Sequence, residues 1–373
     1  MLPEDAKLIS VDDHLIEPPN TWTSRLPAKY QGVGPRIELR ADGREVWRYE
    51  DQVVPNSPRI ARLLPGVDDH GDAANFDEMR PGCYRAKDRL LDMDIDGVWG
   101  QLAFPNFARF SGHRFMPTND PQLSLLCTQA YNDMLVDEWC AVDPERLIPL
   151  MLIPLWDVEA SVAEIERLAG KGVKGVAFSE NPTILGLPSI HTSHWEPLWR
   201  AVIEHDLAVC MHIGSSSVQV TSSKDAPVAV QFSVVGVNSM IAMADWFFSG
   251  ILDRFPTMRV FYSEGGAGWI PYLLEHAQKY IDSHGGLKEV GLGRLPAEYF
   301  RDNMFACMVT DDFAVKSRYD IGVDNLLWEG DFPHGDGMWP NSRTNLARVL
   351  EDVPDDEARK IAGGNARRAL RLG

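Results

Sequence analysis

Asp12 and His14 stand two residues apart at the end of the apolar run Leu8-Ile9-Ser10-Val11, and Glu17 follows within one turn of chain. On a β-strand, side chains two apart share a face, so Asp12 and His14 point the same way. A hard carboxylate beside an imidazole at that spacing suits a divalent ion such as zinc, manganese or iron. Three later runs end in the same kind of group. Leu207 to Met211 closes on His212, Arg259 to Ser263 closes on Glu264 before Gly265-Gly266, and Asn325 to Gly330 closes on Asp331 before Phe332-Pro333-His334. Metal-binding groups at the carboxyl ends of well-separated strands are the layout in which parallel barrels assemble active sites.

The elements that must position these groups alternate regularly from Arg85 onward. Strands are expected at 97–104, 147–155, 173–180, 207–212, 259–264, 304–309 and 325–331. Helices are expected at 85–94, 121–142, 158–171, 195–205, 239–249, 268–284, 312–319, 343–350 and 355–372. With the first run, this makes eight strands, each followed by helix, and a (β/α)8 TIM barrel over residues 1–373 is the economical solution. No Gly-x-Gly-x-x-Gly or Walker-type loop follows a strand, which speaks against a doubly wound nucleotide-binding sheet. Residues 19–84 interrupt the rhythm with a hairpin around Asp42-Gly43 and a Pro-, Asp- and Gly-rich tail. An insertion after the first strand sits at the mouth of such a barrel and is expected to act as a lid.

The formal net charge of -18 argues against nucleic acid and against anionic membrane surfaces as partners. No apolar run reaches the ~18 residues of a membrane span, and the chain reads as cytoplasmic. The five cysteines show no paired metal-ligand spacing and fit reduced, buried thiols. A small molecule is therefore the expected partner, and self-association into a homo-oligomer is compatible with this reading. Trp22, Phe107, Phe110, Trp269 and Trp339 fall on expected loops at the same end of the barrel, which suits a carbon-rich substrate.

Asp12-x-His14, His212, Gly265-Gly266, Gly330-Asp331-x-Pro333-His334 and the closing Gly364-Asn365-Ala366-Arg367-Arg368 together resemble the amidohydrolase-related proteins that include aminocarboxymuconate semialdehyde decarboxylase and γ-resorcylate decarboxylase. The resemblance spans Leu8 to Leu372 and is weakest across the insertion. It implies a first metal site of Asp12, His14, His212 and Asp331, with Asp12 where many relatives have His or Glu. It also implies that Glu180, at the end of the fourth strand, bridges two metals, as in binuclear members. Decarboxylases of this group carry a catalytic His before the Gly-Gly pair, whereas this chain has Glu264, a carboxylate that is normally ionised.

That replacement and the count of carboxylates shape the functional expectation. Asp12, Asp331 and Glu264, with Glu180 or Glu17, supply three or more negative charges against two or three imidazoles, a clustering that cations must offset. Oxygen-rich sites of this kind favour iron or manganese over a lone zinc. Glu-Pro after the first strand, Ser-Glu-Gly-Gly and Gly-Asp-Phe-Pro-His resemble a branch with nonheme dinuclear monooxygenases. The expectation is accordingly a monooxygenase with two Fe ions that uses dioxygen on an apolar small molecule, the second ion held by His212, Glu264 and one bridging carboxylate, with Glu180 and Glu17 as further candidate ligands and Glu264 and His334 as catalytic residues. The alternatives are an amidohydrolase-type hydrolase and a nonoxidative decarboxylase.

Overall fold

The computed structural model describes residues 1–55, 75–116, 120–335 and 337–373. Its first parallel sheet contains β1 (Leu8–Leu15), β5 (Val98–Pro105) and β6 (Leu147–Ile148), in the order β1-β5-β6. Its second runs β12-β11-β10-β9-β8-β7, built from β7 (Leu150–Leu152), β8 (Gly175–Phe178), β9 (Ala208–His212), β10 (Val260–Ser263), β11 (Met304–Met308) and β12 (Leu326–Trp328). β6 and β7 are the two halves of one bent strand around Pro149, each half pairing with a different neighbour. Backbone bonds past the end of β12 then close the ring onto β1. The Asp331 N–H donates to the Asp12 carbonyl at 2.8 Å and the His14 N–H donates to the Phe332 carbonyl at 2.7 Å. This is the expected parallel α/β barrel, and its strands are shorter than the apolar runs because the last residues of several runs turn into loops.

Burial follows from that closure. The strands are covered on both faces, so β8, β9, β11 and β12 read as nearly continuous apolar runs up to their last residue rather than as alternating patterns, while β1 buries Ser10, Asp12, Asp13 and His14 as well. One apolar core extends from Leu2 to Leu370. The five cysteines are free and buried within it. Helices start where short polar side chains accept from their first amides, as Asp120 does from Gln122 and Leu123 and Asp157 does from Ala160. The helix Ala86–Asp96 stops at Gly97, whose φ of 73° turns the chain into β5.

The insertion contains an antiparallel sheet of β2 (Arg36–Leu39), β3 (Glu45–Tyr49) and β4 (Gln52–Pro55). β2 and β3 form the expected hairpin, with Gly43 at φ 83° in its turn, while β4 is an additional strand. Trp22 and Trp47 meet edge to face at 5.1 Å, and Trp47 packs on Phe107 at 4.7 Å. Trp22 and Phe107 are therefore structural, fixing the insertion to the loop after β5. The Pro-, Asp- and Gly-rich tail expected in the insertion, residues 56–74, lies outside the described residues. Among the described residues no helix is long and apolar enough to cross a membrane.

Candidate metal centre

β1, β9 and the loop after β12 bring Asp12, His14, His212 and Asp331 to the carboxyl end of the barrel, where His14 is shared by two groups of ligand atoms. The His14 and His212 Nε2 atoms face each other at 3.3 Å. Asp12 lies 3.6 Å from His14 Nε2 through Oδ1 and 3.3 Å from His212 Nε2 through Oδ2. Asp331 Oδ1 lies 3.3 Å from His14 Nε2. The side chains of all four are fully buried. Strand register alone would not produce this arrangement. β1 carries an irregularity between Ser10 and Asp13, and Asp331 adopts a left-handed backbone with φ 54°. Backbone strain of this kind in a non-glycine residue costs on the order of 1–3 kcal/mol and concentrates at functional sites.

The donor set fits a divalent cation. Both Asp12 oxygens are buried and accept no hydrogen bond among the described residues. A buried carboxylate without donors is costly, and a cation offsets that cost. Burial, followed by the charges of Glu329, Asp331 and Glu264, pushes the Asp12 carboxyl well above the ordinary range. The imidazoles move the other way. Burial lowers His212 to about 4 and holds His14 well down, so both rings are neutral near pH 7 with lone pairs to offer. His212 Nδ1–H donates to the Ile213 carbonyl at 2.6 Å, which leaves Nε2 as the ligand atom aimed into the cluster. Burial alone would raise Asp331, but the imidazoles of His334 and His14 hold it below the ordinary carboxylate range.

His334 belongs to the same group. Its ring stacks on His14 at 3.7 Å, and its Nδ1 lies 2.9 Å from Asp331 Oδ1. Two sets of ligand atoms, Asp12 with His14 and His212, and His14 with Asp331 and His334, each converge within 4.8 Å. Glu264 stands at the edge. Its Oε2 lies 3.2 Å from His212 Nε2, a fifth of its side chain is exposed, and its backbone is left-handed at φ 58°. Phe110 covers the other side of the cluster, with its ring 3.9 Å from His212 and 5.1 Å from His14.

Two expected ligands lie elsewhere. Glu17 accepts from the Phe107 and Ala108 amides at 2.8 and 3.0 Å, so its carboxylate ties down the loop after β5. Glu180 Oε1 accepts from Gly214 N, Ser216 Oγ and Asn238 Nδ2 at 3.0, 2.9 and 2.9 Å, which fixes the loop that follows His212. Neither falls in the converging sets, so the carboxylate surplus that favoured a second ion is largely used on loop atoms. His194 is exposed and packs edge-on against Trp195.

Other residues of the site escaped sequence reasoning. Glu329 is buried beneath Glu264 and accepts from its amide at 3.1 Å. Its signal was available, because Glu329-x-Asp331 repeats the spacing of Asp12-x-His14. Asp13 accepts from the Phe332 amide and from Ser10 Oγ, at 3.0 and 3.1 Å. Arg89 reaches the His14 carbonyl at 2.6 Å from the helix after the insertion, a contact that no spacing announces.

A family model described as Amidohydrolase matches residues 45–372. It begins after β1, so Asp12 and His14 rest on geometry alone. Among curated proteins, a gamma-resorcylate decarboxylase of Rhizobium sp. (strain MTP-10005) is 24% identical over 268 residues, covering 65% of this chain and 75% of its own length. Decarboxylase orsB of Emericella nidulans is 25% identical over 184 residues, covering 47% of this chain and 54% of its own. Among solved structures, an amidohydrolase, map2389c, from Mycobacterium avium subsp. paratuberculosis K-10 superposes with a TM-score of 0.76 at 21% identity, over 99% of this chain and all of that one. A 5-carboxyvanillate decarboxylase of Novosphingobium aromaticivorans, complexed with manganese and a nitrobenzoic acid, superposes at 0.66 and 17% identity, over 99% and 97% of the two chains. These structural likenesses carry the barrel fold. The curated relatives overturn the oxygenase expectation: they are decarboxylases, which are lyases, and nothing in them supports dioxygen chemistry or a pair of iron ions.

Proposed function

The chain belongs to the amidohydrolase family, and from that premise we propose that it is a metal-dependent nonoxidative decarboxylase of a small aromatic carboxylic acid. The observation that carries the proposal is the pair of donor-free Asp12 oxygens facing two neutral imidazoles, a pocket suited to one divalent ion. The decarboxylase relatives supply the reaction class. In this reading Asp12, His14, His212 and Asp331 hold the ion, manganese or zinc, and His334 positions Asp331 and His14. When bound, such an ion supplies electrostatic attraction for the substrate carboxylate and a neighbouring oxygen.

The chain's own residues then do the rest. Phe110 and Phe104 line the imidazoles with apolar surface, which excludes water and strengthens charge interactions inside. Glu264 is the acidic side chain that touches the cluster while remaining partly exposed, so it is the group that transfers a proton between solvent and substrate. Once protonated from solvent, Glu264 gives that proton to the ring carbon bearing the carboxylate and is left ionised. The carbon–carboxyl bond then breaks, its electron pair returns to the ring and carbon dioxide leaves. Atoms and electrons balance without an oxidant.

A carboxylate in place of an imidazole at Glu264 gives a second reading specific support. An ionised Glu264 beside the ion could instead take a proton from water, as a hydrolase requires. Anaerobic incubation of manganese-loaded protein with hydroxybenzoates and benzenedicarboxylates separates the two. Carbon dioxide and the ring-protonated product are expected. Absence of carbon dioxide from the whole panel, with cleavage of aryl amides or esters, would replace the decarboxylase with the hydrolase.

A further inference from the structure

A second polar site lies in a cavity of about 460 Å³ lined by Arg109, His113, Arg114, Met116, Leu185 and Ser217. It adjoins the metal centre through the chain. Arg109 precedes Phe110, whose ring covers His212, and Ser217 lies in the loop that follows His212. Two arginines line this cavity. Among the described residues neither Arg109 nor Arg114 has an acidic partner within ion-pair distance, in a chain with a formal charge of -18. Among the described residues Arg114 donates through Nε to the Phe107 carbonyl at 2.7 Å, and its guanidinium lies over the Phe107 ring at 5.3 Å. The acid that faces it, Glu17, has its oxygens committed to the Phe107 and Ala108 amides. Arg109 is exposed and held in a left-handed backbone at φ 65°, a strained conformation in a non-glycine residue.

The hydroxyls are ordered in one direction. Ser111 Oγ donates to the Ser215 carbonyl at 2.9 Å, so its contact of 2.9 Å with His113 Nδ1 uses the imidazole proton. His113 Nε2 is then the acceptor, and Ser217 Oγ donates to it at 2.6 Å. Ser217 is left with lone pairs to present to the cavity. Met116 and Leu185 supply apolar wall.

We propose that this cavity is the anchoring subsite for an oxyanion on the substrate's aromatic body: Arg109 and Arg114 take the anion, and Ser217 accepts from a ring hydroxyl. The proposal rests on the decarboxylase reading and adds the substrate class to it, a hydroxylated aromatic acid carrying an anionic group besides the carboxylate it loses. The probe is 3-hydroxybenzoate, titrated calorimetrically into the metal-free full-length protein, with 3-hydroxybenzyl alcohol as the neutral control. The expected result is saturable binding of the anion, at least tenfold tighter than the alcohol. Kd should rise about tenfold in Arg109→Gln and in Arg114→Gln, as loss of a charge-assisted bond predicts, and about threefold in Ser217→Ala. Unfolding midpoints within a degree or two of wild type, and an unchanged ion content on reloading, establish that the variants are folded. Arg114→Lys, which keeps the charge, should recover part of the affinity. No saturable binding, equal binding of the alcohol, or arginine variants that bind like wild type would overturn the subsite. The readout needs no turnover. Anion binding without carbon dioxide release would leave the subsite standing and remove the decarboxylase, whereas turnover with unaltered variants would do the reverse.

Discussion

The barrel mouth contains two populations of buried carboxylates, and they differ in what donates to them. Asp12, at the ends of the strands, receives no hydrogen bond among the described residues and faces imidazole nitrogens. In the surrounding loops, Glu17 accepts from two backbone amides through both oxygens, whereas Glu180 accepts from an amide, a hydroxyl and an amide side chain through Oε1 and keeps a buried Oε2 without a partner among the described residues. A buried acid with matched donors is scaffolding, since its charge is spread over fixed dipoles. A buried acid without donors is balanced by a cation. Carboxylate count therefore overstates the ion count, and the extra acids that suggested two irons mostly hold loops in place.

The largest effect should come from the strand ends. Asp12→Asn or His212→Ala is expected to lower the decarboxylation rate by more than ~10³ with the circular dichroism spectrum unchanged, because the substrate loses its electrostatic anchor. Retention of a tenth of the wild-type rate would break the distinction between the two populations. Glu264→Gln tests the edge of the cluster. It should cost about 10²–10⁴ in rate, as loss of a proton-transfer group does, while the bound ion remains. If the ion leaves with the carboxylate, Glu264 is a ligand rather than the acid.

pH sharpens the contrast through opposite signs. His212 is depressed to about 4 from 6.5. The stability it contributes is present above pH 6.5 and is lost as pH falls through about 4, and its ligand lone pair is lost with it. Ion content measured across pH 3 to 7 should drop near that lower value. Glu17 behaves in reverse, because burial raises its carboxyl to about 7 from 4.5. Its contribution is present below pH 4.5 and fades as pH rises through about 7. Denaturant titrations should therefore show Glu17→Gln more costly at pH 5 than at pH 8, by about 1–2 kcal/mol after allowance for relaxation of the buried site. A cost that grows with pH would show that the two loop amides outweigh burial at Glu17.

The strand-end residues were legible in the sequence because two simple rules locate them. Period-two alternation puts Asp12 and His14 on one face, and a run of Leu, Val, Cys and Met ending at His212 marks a buried strand that stops at a polar group. The roles of Glu17 and Glu180 were hidden because their donors come from far along the chain, the Phe107 and Ala108 amides in one case and Gly214, Ser216 and Asn238 in the other. His113 is buried with both ring nitrogens paired, and it sets the proton direction of Ser217. Trp22 looked like a substrate contact but is buried against Trp47, because aromatic residues on loops serve packing as readily as recognition. The reaction class failed for another reason. Iron, manganese and zinc accept overlapping oxygen and imidazole donors, so ligand types did not separate an oxygenase from a lyase.

Ion stoichiometry by mass spectrometry, in protein purified without chelator and dialysed against manganese, tests the central claim most directly. One ion per chain is predicted in wild type and in Glu180→Gln, and fewer than about 0.1 in Asp12→Asn, since Asp12 faces both imidazole ligands with neither oxygen hydrogen-bonded among the described residues. An ion kept in Asp12→Asn and lost in Glu180→Gln would contradict the account.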